Sequence, residues 1–153
     1  FLSLKDNAAL PITDARMTRF MITLEQGVEL VWHALEDMVG GEIYVRKIPS
    51  MNILDIAKAV APEAAHEIIG IRPGEKLHEQ MIGPEDAAHT YEYADHFKII
   101  PAIHNWSKDP VRIKDGKPVP EGFEYSSEKN TEWMGVEELQ KWVSDNSDKI
   151  GKF

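Results

Sequence analysis

The order of local signals predicts an α/β or α+β chain in which short strands are packed by helices. Three observations carry this. Helical apolar spacing alternates with short β-rich apolar runs as far as Ile71. Beyond Gly83-Pro84 the pattern changes to two strand-like runs around Asp95, the outline of a hairpin. The chain has 153 residues, 42% hydrophobic and 28% charged, enough for a core without covalent staples and ordinary for a globular domain.

Residues 1–7 read as the tail of a helix, and Ala9 to Thr13 as a short extended stretch that ends at Asp14. Thr18 to Ile22 is again strand-like. Thr23 with Gln26 three residues on has capping-box spacing, so a helix is expected from Leu24 to about Val39. Leu24, Val28, Val31, Leu35 and Met38 recur at helical spacing and are expected to form one buried stripe. Gly40-Gly41 ends that helix. Glu42 to Ile48 reads as a strand stopped by Pro49; Ser50 or Asn52 caps the next helix, whose apolar face is Ile53, Ile56, Ala57 and Val60. Ile68, Ile69 and Ile71 look like the end of a buried strand. Pro73-Gly74 forces a turn, and Glu75 to Met81 looks helical.

The second half is less regular. Thr90 to Ala94 and His96 to Ile100 form the expected hairpin. Residues 102–122 are a polar, turn-rich excursion. Phe123 to Trp133 suits extended pairing or docking of its aromatic side chains, and Val136 to Val143 is a helix, after which the last residues are expected to fray. The organisation read from this is a binding portion at 1–101, the excursion at 102–122, and a C-terminal segment at 123–153 in the same domain.

Seventeen basic against twenty-six acidic residues give a net charge of -9, which opposes loose binding to nucleic acid or anionic membrane. There is no cysteine, so disulfides and thiolate metal sites are excluded; a reducing compartment is compatible. No apolar run reaches membrane-spanning length, and the first residues lack a signal-peptide pattern. The chain opens on Phe1 and reads as starting partway into a longer protein.

Any anion must therefore be held locally, and Ile68 to Ile82 is the stretch arranged to do so. Strand end, Arg72, Pro-Gly turn and helix start aim a guanidinium and free N–H groups at one spot, a plausible phosphate or diphosphate clamp. Glu75 suits a pair of ribose hydroxyls, which a carboxylate accepts and a phosphate position would repel. The plainer account is a surface Arg-Glu pair beside a tight turn. Arg16 and Arg19 stand where an irregular segment becomes a strand, and in a strand they are not bound to act together. Glu75, His78 and Glu79 would share a helical face, but a polar face is the more economical account than a metal site, because no paired-histidine motif occurs. Tyr125 and Lys129 match the Y-x-x-x-K spacing of dehydrogenases without any glycine-rich dinucleotide turn, which favours a polar loop. Aromatic residues Trp106, Phe123, Tyr125, Trp133 and Trp142 sit among glutamates, so docking on a core or subunit fits better than nucleic acid or glycan.

Four stretches together carry a resemblance. P-I-T-D-A-R-M-T-R-F-M-I-T-L-E-Q-G-V-E (Pro11 to Glu29), G-G-E-I-Y-V-R-K-I-P-S-M (Gly40 to Met51), I-G-I-R-P-G-E-K-L-H-E-Q-M-I (Ile69 to Ile82) and F-E-Y-S-S-E-K-N (Phe123 to Asn130) closely resemble the C-terminal half of inverting UDP-N-acetylglucosamine 4,6-dehydratases. The resemblance implies an extended short-chain dehydrogenase/reductase of the bacterial cytoplasm that uses tightly held NADP. Such enzymes oxidise C4 of the sugar, eliminate water across C5 and C6, and return hydride at C6 with inversion at C5, feeding pseudaminic acid or related surface-glycan synthesis. Carried over one residue at a time, Arg19 and Arg72 grip the UDP diphosphate, Glu75 holds the uridine ribose, and Thr18 lines the same pocket.

The departure is as informative. The glycine-rich turn and the catalytic Asp, Lys and Tyr belong to the family's N-terminal half, which does not occur in this sequence. The expectation is therefore a substrate-binding portion of an extended Rossmann-type enzyme, α+β as an isolated half, with no catalytic, cofactor-binding or metal-binding residue of its own and no NADP held by it alone. Its partners would be a UDP-sugar and either further copies of itself or an N-terminal Rossmann half supplied separately. Two other classes stay open: a non-catalytic nucleotide-sugar-binding or oligomerisation module, and half of a related nucleotide-sugar epimerase.

Overall fold

The computed structural model describes residues 8–103 and 108–146. Within them the chain forms two compact units, one from residues 8–21, 49–79 and 130–146, the other from residues 22–48 and 80–129. The expected helix tail before residue 8, Trp106 and the C-terminal fraying lie outside the described residues.

In the first unit, β1 (Ala9–Ile12) pairs in parallel with β5 (Ala65–Ile68), Leu10 facing His66 and Ile12 facing Ile68 in register. Alternation puts Leu10 and Ile12 on one face, and both are fully buried with Ala57 and Ala61; Ile53, Leu54 and Ala64 fill in around them. Burying a side chain of this size contributes about 2 kcal/mol. Ala57 belongs to α2 (Ile53–Val60), which starts where the Asn52 Oδ1 accepts the Leu54 N–H at 2.8 Å. Of the two expected caps Asn52 is the one used; Ser50 lies in β4 (Ser50–Asn52), antiparallel to β2 (Thr18–Phe20). Helix α4 (Val136–Asp145) lies against α2 and buries Leu139.

Strand β5 departs from expectation. It forms, but Ile68, Ile69 and Ile71 are exposed rather than buried. Among the described residues β5 pairs with β1 alone, in a two-stranded sheet, which leaves these side chains in solvent.

The second unit is built on an antiparallel sheet ordered β3 (Ile43–Arg46), β8 (His96–Ile99), β7 (Thr90–Glu92), β9 (Lys117–Pro118). β7 and β8 are the predicted hairpin around Asp95. The turn-rich excursion contributes β9 and a short helix, α3 (Pro110–Ile113), with Asp109 as its cap. A further pair, β6 (Gln80–Ile82) with β10 (Tyr125–Ser126), brings Tyr125 beside Phe97. The Tyr125 hydroxyl accepts the Ile48 N–H at 2.9 Å. It is buried on a strand, and Lys129 instead pairs with Glu124, so the Y-x-x-x-K spacing makes no dyad.

Helix α1 (Leu24–Asp37) starts at the predicted capping box: the Gln26 N–H donates to Thr23 Oγ1 and the Thr23 N–H to Gln26 Oε1. Its apolar stripe corrects the expectation, because Leu24, Val28, Val31, Leu35 and Met38 are all exposed, Leu24 to 85%. Polar contacts hold the helix. Arg46 donates to the Gln26 carbonyl at 3.0 Å and to Glu29 at 3.2 Å, and Asp37 accepts from the Tyr44 hydroxyl at 2.6 Å and from Lys98 and Lys114. Lys98 is 1% exposed, lies over the Tyr44 and Tyr93 rings, and also donates to the Arg112 carbonyl.

Candidate functional site

Arg72, Pro73, Gly74 and Glu75 form a tight turn. Proline fixes φ at the second position and Gly74 takes φ of +87° at the third, the pattern of a type II turn. Two hydrogen bonds close it: the Glu75 N–H donates to the Arg72 carbonyl at 3.1 Å, and the Arg72 N–H to Glu75 Oε2 at 2.9 Å. Glu75 thus meets the Arg72 backbone, not its side chain. The Arg72 guanidinium is exposed and has no hydrogen-bond or ion-pair partner among the described residues.

No helix follows. Residues 75–79 run irregularly into β6, which removes the helix N-terminus from the expected clamp and the shared helical face of Glu75, His78 and Glu79. The reason lies in β2. The Thr18 N–H donates to the Leu77 carbonyl at 3.0 Å, and the Arg19 guanidinium donates to the same carbonyl at 3.1 Å and to that of Lys76 at 3.2 Å. The Leu77 carbonyl, with both lone pairs taken, and the Lys76 carbonyl are thus satisfied from β2 without a helix. His78 Nδ1 sits 2.7 Å from Thr18 Oγ1, pinning the segment further.

Thr18 and Arg19 on β2 and Arg72 and Glu75 in the turn are therefore gathered in one unit, joined through Lys76 and Leu77. Their states differ. Thr18 is 5% exposed and bonded. Arg19 also donates to the Thr18 carbonyl at 2.7 Å and stands 3.6 Å from Glu79, so most of its five N–H donors face protein groups. Arg72 alone of the four has a side chain with no hydrogen-bond or ion-pair partner among the described residues. His78, Lys76 and Leu77 were not identified as site residues by sequence reasoning, because their roles rest on backbone carbonyls and on a strand about 60 residues away. Among the described residues no group of three or more His, Asp or Glu side chains is placed to hold a metal ion, and no helix is long and apolar enough to cross a membrane.

This is a mixed α/β chain with an arginine-bearing turn pinned to a short strand, and its fold has a solved counterpart. The X-ray structure of Pen from Bacillus thuringiensis superposes with a TM-score of 0.76 at 26% identity, over 94% of this chain and 42% of that one. Residues 2–101 match the polysaccharide biosynthesis protein family, and the chain belongs to it. A UDP-N-acetylglucosamine 4,6-dehydratase (inverting) from Campylobacter jejuni is 50% identical over 140 residues, 88% of this chain and 42% of the relative. A UDP-glucose 4-epimerase from Rickettsia conorii is 31% identical over 142 residues, 90% of this chain and 41% of the relative. The chain thus spans about two fifths of the length of the curated relatives it matches.

Proposed function

We propose that this chain is the UDP-sugar-binding portion of an inverting UDP-N-acetylglucosamine 4,6-dehydratase of bacterial surface-glycan synthesis, acting in the cytoplasm. Arg72 meets the diphosphate, Arg19 adds its charge from β2, Glu75 takes the ribose hydroxyls with its second oxygen, and Thr18 lines the pocket. The observation that carries the reading is the free Arg72 guanidinium on a turn closed at both ends, in a chain 50% identical to a dehydratase. A guanidinium fits two phosphate oxygens in its plane, and a closed turn loses little freedom on binding. The higher identity to the dehydratase than to the epimerase favours the former.

NADP would take up the hydride and return it in a complete enzyme. The residues here do not fit it: β1 is followed by a turn at Asp14 and by β2, not by a glycine-rich turn and a helix. What this chain does is bind and orient.

Calorimetric titration of UDP tests the reading. Saturable heat in the micromolar to millimolar range is expected, and Arg72→Ala weakens binding ~10-fold or more, the loss of one charge-assisted hydrogen bond. No saturable heat, or equal binding by Arg72→Ala, overturns the site. Turnover of UDP-N-acetylglucosamine by this chain with NADP overturns its incompleteness.

A further inference from the structure

The Arg72 turn stands in solvent, and what holds it in place lies just behind it in the chain. Residues 71–76 are exposed, whereas Leu77, His78 and Glu79 are half-buried, so these three are where the segment docks on its unit. The surface they meet is β2, at Thr18. Thr18 is itself firmly set: it pairs with Asn52 in the ladder between β2 and β4, and the neighbouring Met17 carbonyl accepts the Ile53 N–H at 2.9 Å where α2 begins. Helix α2 in turn carries Ala57 into the core. Thr18 grips two successive residues of the segment. Its N–H donates to the Leu77 carbonyl at 3.0 Å, and its Oγ1 is hydrogen-bonded to His78 Nδ1 at 2.7 Å. The first bond uses backbone alone and forms with any side chain at position 77. The second needs the imidazole at position 78. Glu79, the next side chain along, stands 3.6 Å from Arg19, beyond hydrogen-bond length.

We propose that His78 is a positioning residue of the nucleotide site: through Thr18 Oγ1 it fixes the Arg72 turn against β2, so that Arg72 and Arg19 face one ligand together. The inference rests on the UDP-binding reading of this site and adds to it a residue that acts through Thr18 rather than on the nucleotide. A backbone bond at Leu77 alone leaves the segment free to swing about it, and a second bond one residue further on, from a side chain, sets its direction. His78 is only three residues from Glu75, so a swing at His78 moves the turn itself. The core residues Leu10, Ile12, Ala57 and Ala61 are not touched by this bond. Its loss therefore costs little global stability and instead leaves an exposed turn that must be ordered again when ligand binds.

Calorimetric titration of UDP into a set of variants tests the inference, with Tm measured on each. His78→Ala weakens UDP binding ~5-fold, the loss of one net hydrogen bond, and leaves Tm within ~2 °C of the parent. His78→Asn, whose side-chain amide reaches the place of Nδ1, binds within ~2-fold of the parent. Because His78 acts through Thr18, adding His78→Ala to Thr18→Val weakens binding no further than Thr18→Val alone. Binding by His78→Ala equal to the parent overturns the inference, and if Arg72→Ala is still weakened the nucleotide site stands without it. Additive losses in the double variant overturn it by showing that His78 acts independently of Thr18. His78→Asn as weak as His78→Ala overturns it, as does a fall in Tm of ~5 °C or more in His78→Ala, which makes the residue a support of the whole unit. Absence of saturable UDP binding by the parent removes the site and this inference together.

Discussion

Helix α2 turns Ala57 into a core shared with Leu10 and Ile12, whereas the longer α1 leaves its whole apolar stripe in solvent and is held by Arg46, Tyr44 and Lys98 instead. Both helices carry the same periodic signal and a side-chain cap. The difference teaches that amphipathic spacing defines which side of a helix seeks burial, while what covers that side is set by the rest of the protein. In α1 the side that faces its own unit is the polar one, and fixed geometry there comes from charge and hydrogen bonds.

The largest effect should come from removing the polar anchor. Asp37→Ala leaves Lys98 buried without its carboxylate, and unpaired buried charge costs about 4 kcal/mol; urea unfolding checks it. The same anchor gives acid sensitivity. Burial pushes the Asp37 carboxyl up, but bonds from Lys114, Lys98 and Tyr44 outweigh it and hold the group well below the ordinary carboxylate range. A depressed carboxylate stabilises above its unfolded value of about 4, and that contribution is lost as pH falls through the folded value. Stability should therefore fall below about pH 4 in the parent, and the part due to this group should be missing from Asp37→Asn. Next in size is the α2 side of the comparison: Leu10→Ala should cost about 3 kcal/mol through a cavity beside Ala57. Smallest is Leu35→Ala on α1, expected within about 0.5 kcal/mol of the parent by the same measurement. A Leu35→Ala cost equal to that of Leu10→Ala would erase the distinction between the two helices.

What could be read from sequence was local. Thr23 with Gln26, Asn52 before Ile53, and Asp95 between two β-rich runs each fix an element through neighbours a few residues away. What could not be read depends on distant partners. E-K-L-H-E-Q-M has helical spacing, yet β2 captures its carbonyls and β10 pairs with its end, so tertiary bonds override propensity. Lys98 looks like the solvent side of a strand, since lysine is seldom buried; its carboxylate partner is 61 residues away. Of the candidate site, the Arg72 turn was legible from Pro73-Gly74. That Arg19 faces backbone carbonyls while Arg72 stays free was not, because no sequence pattern marks a carbonyl left without its helix.

The most direct measurement is an amide chemical-shift titration of the chain with UDP. The account predicts that the largest shifts fall on Arg72, Gly74, Glu75, Thr18 and Arg19, and that Arg72→Ala diminishes them together. Shifts centred on the sheet of β3 and β8, or none at saturating nucleotide, would contradict it.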